Sequence, residues 1–200
     1  MGSIEFLLKA LELNEISRTG WAARGVTEPQ RVAGHTWGVA FLTLLFASEE
    51  PDVDQNRAIK IAIIHDLAET ITGDIVINES YGAMSADEKE QLERQAMETI
   101  SNIAGPDLTQ FDGIHELWRE YEDRGSPEAR FVKDMDLIEV CLFALKYETE
   151  SRYDPDAIEN DEFDNLDRFF ATAKETIRSE TGRTLFREIK TAYDESKTDH

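Results

Sequence analysis

Apolar positions recur along most of this chain at the three- and four-residue spacing of an amphipathic helix, and alternating strand-like stretches are sparse. The pattern predicts a first helix over 3–16, with Ile4, Leu7, Leu8 and Leu11 on one face. Arg18-Thr19-Gly20-Trp21 then breaks it, and a loop runs through Pro29. A second helix fits 32–47 and a third 55–70, ending before Gly73, a common stop signal. A loop with Asn78 and Gly82 follows. Ser85 and Glu88 form a capping-box pair that opens a fourth helix, which Gly105-Pro106 closes. A fifth fits 108–124. Ser126-Pro127 opens a sixth, with Ser as cap and Pro in the first turn, running to about Arg152. Two more fit 163–180 and 184–196, and the residues through His200 are expected to fray. The expected fold is all-α, with about seven or eight helices. One domain spans 1–200, its loops too short for a second, and the helices over 163–196 pack on the rest.

The 200 residues suit one core of ordinary size, and 40% hydrophobic content supports a folded chain despite 32% charged residues. No apolar run approaches the roughly 18 residues that a membrane span needs. The N-terminal residues lack the basic start and apolar stretch of a signal peptide, so a cytoplasmic location is expected. The lone Cys141 lies in an apolar helix and reads as core. A formal net charge of −21 argues against long nucleic acids, whose binding rests on neutralising phosphates with Lys and Arg. The carboxylates are spread along the whole chain, an acidic halophile-like pattern in which a solvated surface resists precipitation. With 42 acidic residues, any single Asp or Glu reads first as a solvated face.

Candidate chemistry begins at His65-Asp66, which interrupts the almost wholly apolar stretch from Ile59 to Leu67. An unpaired ring or carboxylate there would be costly. His35 sits early in the second helix, and Lys133-Asp134-Met135-Asp136 lies inside apolar neighbours of the sixth. One His, a His-Asp pair and one of these two aspartates, brought together from facing helices, make a metal site of imidazole and carboxylate ligands. Helical periodicity does not separate Asp134 from Asp136. Glu69 falls four residues after His65 and three after Asp66, on their helix face, as an acid or base beside a metal water. Asp74 follows Gly73 toward the same mouth. Arg18 and Arg24 bracket Trp21, and guanidinium groups grip phosphate bidentately. Lys133 can also reach an anion. Singly, His35 reads as a core histidine, Glu69 and Arg24 as surface residues and Trp21 as core, while His115 reads as structural. Together these groups fit hydrolysis of a phosphate ester.

The order His35, His65-Asp66, Asp136 resembles the HD-domain metal-dependent phosphohydrolase superfamily. Arg18-Thr19-Gly20-Trp21 with Arg24-Gly25-Val26, His65-Asp66-Leu67-Ala68-Glu69 with Thr72-Gly73-Asp74, and Phe131-Val132-Lys133 with Asp136 are similar to the 5′-deoxynucleotidase branch and its eukaryotic relatives. The resemblance spans about 5–150. It implies an HD-domain helical bundle, often a homodimer, that holds one divalent ion per site and removes phosphate from deoxynucleoside 5′-monophosphates. The ion would be Mn, Co, Fe or Mg. Carried over, His35, His65, Asp66 and Asp136 would hold the metal, with Asp136 chosen over Asp134 by the family's Lys-x-x-Asp spacing. Glu69 would be the catalytic acid or base, and Asp74 would order water and substrate. Arg18 would hold the phosphate and Trp21 would wall the sugar, with Arg24 and Lys133 as further substrate-binding residues. Two departures stand out. Bacterial members place Trp directly after Arg, whereas Thr19 and Gly20 intervene here, as in the eukaryotic relatives. The family also usually carries an acid just before the first metal His, where this chain has Gly34, a change expected to weaken the metal site. The alternatives are a phosphohydrolase for another small phosphate ester or signalling nucleotide, and a non-catalytic, metal-stabilised nucleotide-binding module.

Overall fold

The computed structural model describes residues 2–76, 84–104, 111–154, 163 and 166–198. The expected loop at Asn78 and Gly82, the stop at Gly105-Pro106 and the frayed His200 lie outside the described residues. Among the described residues every regular element is helical, apart from an antiparallel bridge between Ser17 and Arg31. Along the chain the helices are α1 (Gly2–Leu11), α2 (Thr19–Ala22), α3 (Val32–Phe46), α4 (Gln55–Ile64) and α5 (Glu69–Thr72). They continue as α6 (Ala86–Ala104), α7 (Phe111–Asp123), α8 (Pro127–Thr149), α9 (Asp167–Thr176) and α10 (Glu180–Thr198). None of the described helices is long and apolar enough to cross a membrane.

The capping signals act as the sequence implies. Ser85 Oγ accepts the Glu88 N–H (3.3 Å) while the Glu88 carboxylate accepts the Ser85 N–H (2.9 Å), the reciprocal pair of a capping box. Ser126 Oγ accepts the Ala129 N–H at the start of α8, with Pro127 in the first turn. Asp54 caps α4 by accepting the Arg57 N–H.

α8 is the axis of the fold, with α3, α4, α7, α9 and α10 packed around it. Phe131, Val132, Met135, Ile138, Cys141, Ala144 and Tyr147 bury different faces of it, as expected of a helix surrounded by protein. Burial pushes the Cys141 thiol up to about 12, in line with its reading as core. α8 also buries Glu128, Asp134, Asp136, Glu139 and Glu148, which is tolerable only because each has a partner. Glu128 accepts the Asp54 N–H (2.9 Å). Asp134 accepts the N–H groups of Arg178 (3.1 Å) and Ser179 (2.7 Å), fastening the turn that leads into α10. Glu148 accepts from the Tyr153 hydroxyl (3.3 Å). Asp136 and Glu139 belong to the site described below. A second core of Phe6, Leu67, Ala68, Ala96, Met97, Ile100, Ala104 and Trp118 ties α1, α6 and α7 to the segment after α4.

Three elements depart from the periodic reading. The segment after Arg18 is not wholly loop, because Thr19–Ala22 forms the single turn of α2. The helix expected over 55–70 stops at Ile64 and resumes as α5. The apolar stripe of α1 turns outward: Ile4, Leu7, Leu8 and Leu11 are exposed, while Phe6 faces the core.

Candidate metal centre and active site

His35 enters one turn into α3, where it is fully buried against α8. The break after α4 delivers the next two groups. His65 Nδ1 lies 2.8 Å from the Ala62 carbonyl, which an uninterrupted helix would give to the Asp66 N–H. From there the backbone tightens to bonds three residues apart: Leu67 to Ile64 (3.0 Å), Glu69 to Asp66 (3.0 Å) and Thr70 to Leu67 (3.2 Å). Residues three apart eclipse one another in such a turn. Asp66 and Glu69 therefore share a side, as the sequence reading had it, but through a tightened turn and not a regular α-helix. Gly73 ends α5 at φ +71°, a conformation suited to glycine, and sends the chain back toward Arg18.

A small hairpin-like closure holds Arg18 in place. Its N–H donates to Gln30 O (2.9 Å), and the Val32 N–H donates to Ile16 O (2.9 Å) across the Ser17–Arg31 bridge. Asp74 accepts the Thr19 N–H at 2.5 Å and lies 3.4 Å from Arg18 Nη1. Arg18, Trp21, His65, Asp66, Glu69, Asp74, Lys133 and Asp136 all line one cavity of about 540 Å³. α2 takes up the two residues between Arg18 and Trp21 in one turn, so Trp21 lines this cavity, its ring packed against Tyr147 (5.1 Å) and Phe169 (4.2 Å).

His35, His65 and Asp66 each offer a ligand atom, all within 4.8 Å of one another. Asp136 Oδ1 lies 3.2 Å from His35 Nε2, and Asp66 Oδ2 lies 3.2 Å from His65 Nε2 and 3.7 Å from His35 Nε2. Among the described residues, His35 Nε2, His65 Nε2, Asp66 Oδ2 and Glu69 Oε2 are buried with no hydrogen-bond partner. Orphaned polar atoms are costly inside a protein, and those of His35, His65 and Asp66 lie together. Imidazole nitrogens and carboxylate oxygens in this arrangement fit one divalent transition metal or magnesium ion. α8 also resolves the two aspartates. Asp136 faces the centre, while Asp134 faces the α9–α10 turn.

The electrostatics reflect the crowding. Burial opposes ionisation of Asp66, but His65, His35 and Arg18 hold its carboxyl well below the usual range. Asp136 is held low in the same way, against burial, by Lys133 and the two histidines. Burial together with Asp66 and Asp74 pushes the Glu69 carboxyl up to about 10. Burial and the Arg18 charge oppose a proton on His35, yet Glu139 and Asp136 prevail and raise it to about 9. A divalent cation would offset this excess of negative charge and invert the local balance.

Several placements were not legible beforehand. Arg24, expected to bind substrate, is not among the residues lining the cavity: it is buried and donates to Phe163 O (2.8 Å). Lys133 reaches the cavity, but its ammonium is paired with Asp136 Oδ2 (2.8 Å). Tyr121 of α7 donates to the same oxygen (2.9 Å), leaving Oδ1 facing the histidines. Nothing in the amphipathic pattern of α7 marks Tyr121. The missing acid at Gly34 has a counterpart elsewhere, since Glu139 of α8 sits 2.6 Å from His35 Nδ1. Its signal was a lone carboxylate inside the apolar stretch 137–145. Lys89, paired with Glu93 at 3.2 Å, joins the cavity from α6.

The profile of the HD domain family matches residues 10–178. The chain is 37% identical over 147 residues to the 5′-deoxynucleotidase hdd1 of Schizosaccharomyces pombe, covering 72% of each chain. It is 35% identical over 147 residues to the 5′-deoxynucleotidase HDDC2 of Mus musculus, covering 74% of this chain and 70% of that one. Its fold is similar to the crystal structure of PH0347 from Pyrococcus horikoshii OT3, with a TM-score of 0.73 at 30% identity, over 96% of this chain and 98% of that chain. The profile match spans most of the length, and both curated relatives exceed 30% identity. The chain belongs to the HD-domain family of hydrolases.

Proposed function

We propose that this chain is a metal-dependent phosphomonoesterase that hydrolyses (deoxy)nucleoside 5′-monophosphates to nucleoside and phosphate. The observation that carries this reading is the convergence of ligand atoms from His35, His65 and Asp66, with Arg18 3.8 Å from Asp66, at a cavity large enough for a nucleotide. In this reading His35, His65, Asp66 and Asp136 hold one divalent ion, manganese, cobalt, iron or magnesium. Such an ion supplies a Lewis acid and lowers the pKa of a coordinated water toward neutrality. Arg18 binds the phosphate, and Asp74 keeps the guanidinium aimed into the cavity. Glu69 Oε2 is the atom that gives or takes a proton. Trp21 forms the sugar wall, Lys133 lies within reach of the anion, and Arg24 acts through the fold alone. Most of the rate enhancement comes from positioning and charge. The names of the yeast and mouse relatives support the substrate class.

The test is phosphate release from a panel of ribo- and deoxyribonucleoside 5′-monophosphates with manganese, cobalt or magnesium, beside Glu69→Ala. Release from deoxy substrates, lost in the variant, supports the reading. Equal release from both sugars removes Trp21 as a sugar filter. A nucleotide product or no release at all contradicts the phosphomonoesterase assignment.

We further propose a single domain acting in the cytoplasm as a homodimer, joined through the outer face of α3. Trp37, Phe41, Leu44 and Leu45 are exposed there, with the Trp37 and Phe41 rings stacked 5.2 Å apart. α3 carries no Asp, Glu, Lys or Arg. For a chain of net charge −21 that is a face on which two copies can meet without facing like charges. Sedimentation of the wild type as a dimer and of Trp37→Glu as a monomer supports this, whereas a wild-type monomer overturns it.

A further inference from the structure

We propose that Glu139 is a positioning residue of the metal site, which holds His35 by Nδ1 so that Nε2 faces the centre, and that Gly38 is the residue that makes room for it. This rests on the metal reading above.

Glu139 is almost fully buried on α8, one turn beyond Asp136 and on the same face. Both its oxygens are engaged. Oε2 lies 2.6 Å from His35 Nδ1, and Oε1 accepts from Gln30 Nε2 at 2.6 Å. Gln30 is in turn anchored where its N–H donates to the Tyr147 hydroxyl (2.9 Å). A carboxylate against Nδ1 leaves Nε2 as the ring's only free nitrogen, and that nitrogen is among the unpartnered atoms at the centre. Carboxylates placed behind metal-binding imidazoles act in this way, fixing the tautomer and ring plane.

Gly38 supplies the second observation. It lies on α3 three residues after His35, and a Cβ there would come within 2.8 Å of both Cγ and Oε1 of Glu139. Its φ is not positive, so the backbone does not require glycine. Alanine is the better helix former. What a side chain at this position would disturb is the Glu139 carboxylate, and through it the ring of His35.

The experiment titrates Mn²⁺ into wild type, Glu139→Gln and Gly38→Ala under argon at pH 8.5, reading free Mn²⁺ by electron paramagnetic resonance. Thermal melts of the metal-free proteins run beside it. Both variants are expected to melt cooperatively and to bind Mn²⁺ about 10- to 100-fold more weakly than wild type. Wild-type affinity in either folded variant overturns the proposal. Failure of the wild type to bind Mn²⁺ would instead bring down the metal reading, and the proposal with it. If neither variant folds, proton NMR of the wild type decides. A downfield, slowly exchanging Nδ1–H assigned to His35 supports the proposal, and a His35 Nδ1 without a proton overturns it.

Discussion

Asp134 and Asp136 stand two residues apart on α8 with different partners, so in the proposed site their alanine variants should fail in different ways. Asp134 holds no group of the cavity. Its carboxylate accepts two backbone N–H groups, from Arg178 and Ser179, at the turn from which α10 packs onto α8. Hydrogen bonds to a charged acceptor contribute about 1.5–3 kcal/mol each, and the exposed edge of the turn lets water recover part of that, so Asp134→Ala should cost about 3 kcal/mol. For a chain of this size that lowers the melting temperature by roughly 6–12 °C. Its metal content and its turnover per folded molecule should be unchanged. Asp136→Ala removes the oxygen 3.2 Å from His35 Nε2 and leaves Lys133 and the Tyr121 hydroxyl without their shared partner. Metal affinity should fall by at least about 100-fold, the upper end of what changes behind a ligand cost. Calorimetric melts with and without chelator, and metal content by elemental analysis, read both quantities. Loss of metal in Asp134→Ala with an unchanged melting temperature, or stoichiometric metal in Asp136→Ala, would refute the assignment.

Three further outcomes follow from the geometry. A divalent ion needs a bare Nε2 on His35, whose proton is held to about 9, so metal affinity should rise about tenfold per pH unit from 6.5 to 9 and level off above; an ordinary histidine would level off near 7. Isothermal titration across that range with proton-release measurements checks it, and a flat profile above pH 7 contradicts it. Gly73→Ala forces a β-carbon into φ +71°, ψ 173°, which should cost roughly 1–3 kcal/mol, and it loosens the turn that brings Asp74 to Arg18, so KM should rise as well. Melting in increasing KCl should show rising stability if the dispersed charge of −21 is a solvated, self-repelling surface, and a salt-independent melt would remove that reading.

Much of the fold was legible because its signals are local. The Ser85–Glu88 box, the Ser126-Pro127 start and the 3.6-residue periodicity report on the neighbouring backbone, and the helices begin where those signals stand. The break after Ile64 was not legible, because it depends on the His65 side chain competing for a backbone carbonyl. The outward stripe of α1 shows the limit of amphipathicity, which says that a face is apolar without saying what covers it. In the site, His35, His65, Asp66, Glu69 and Asp74 could be read as a chemical set. Asp136 could not be told from Asp134 by periodicity, since one turn of α8 presents both to different neighbours. Tyr121, Glu139 and Lys89 were missed because each joins the site through contacts made across helices distant in sequence. Arg24 misled because a guanidinium close to Arg18 and Trp21 in sequence serves equally well as a tie to a distant carbonyl.

In the proposed reaction, residues of this cavity direct water to the phosphorus of a nucleoside 5′-monophosphate with the help of a divalent ion. The most direct measurement is hydrolysis of dAMP in ¹⁸O-water, with Mn²⁺ and with chelator, followed by mass analysis of both products. Inorganic phosphate carrying one solvent oxygen and unlabelled deoxyadenosine are expected, formed only with the metal. Label in the nucleoside, or turnover undiminished by chelator, would contradict it.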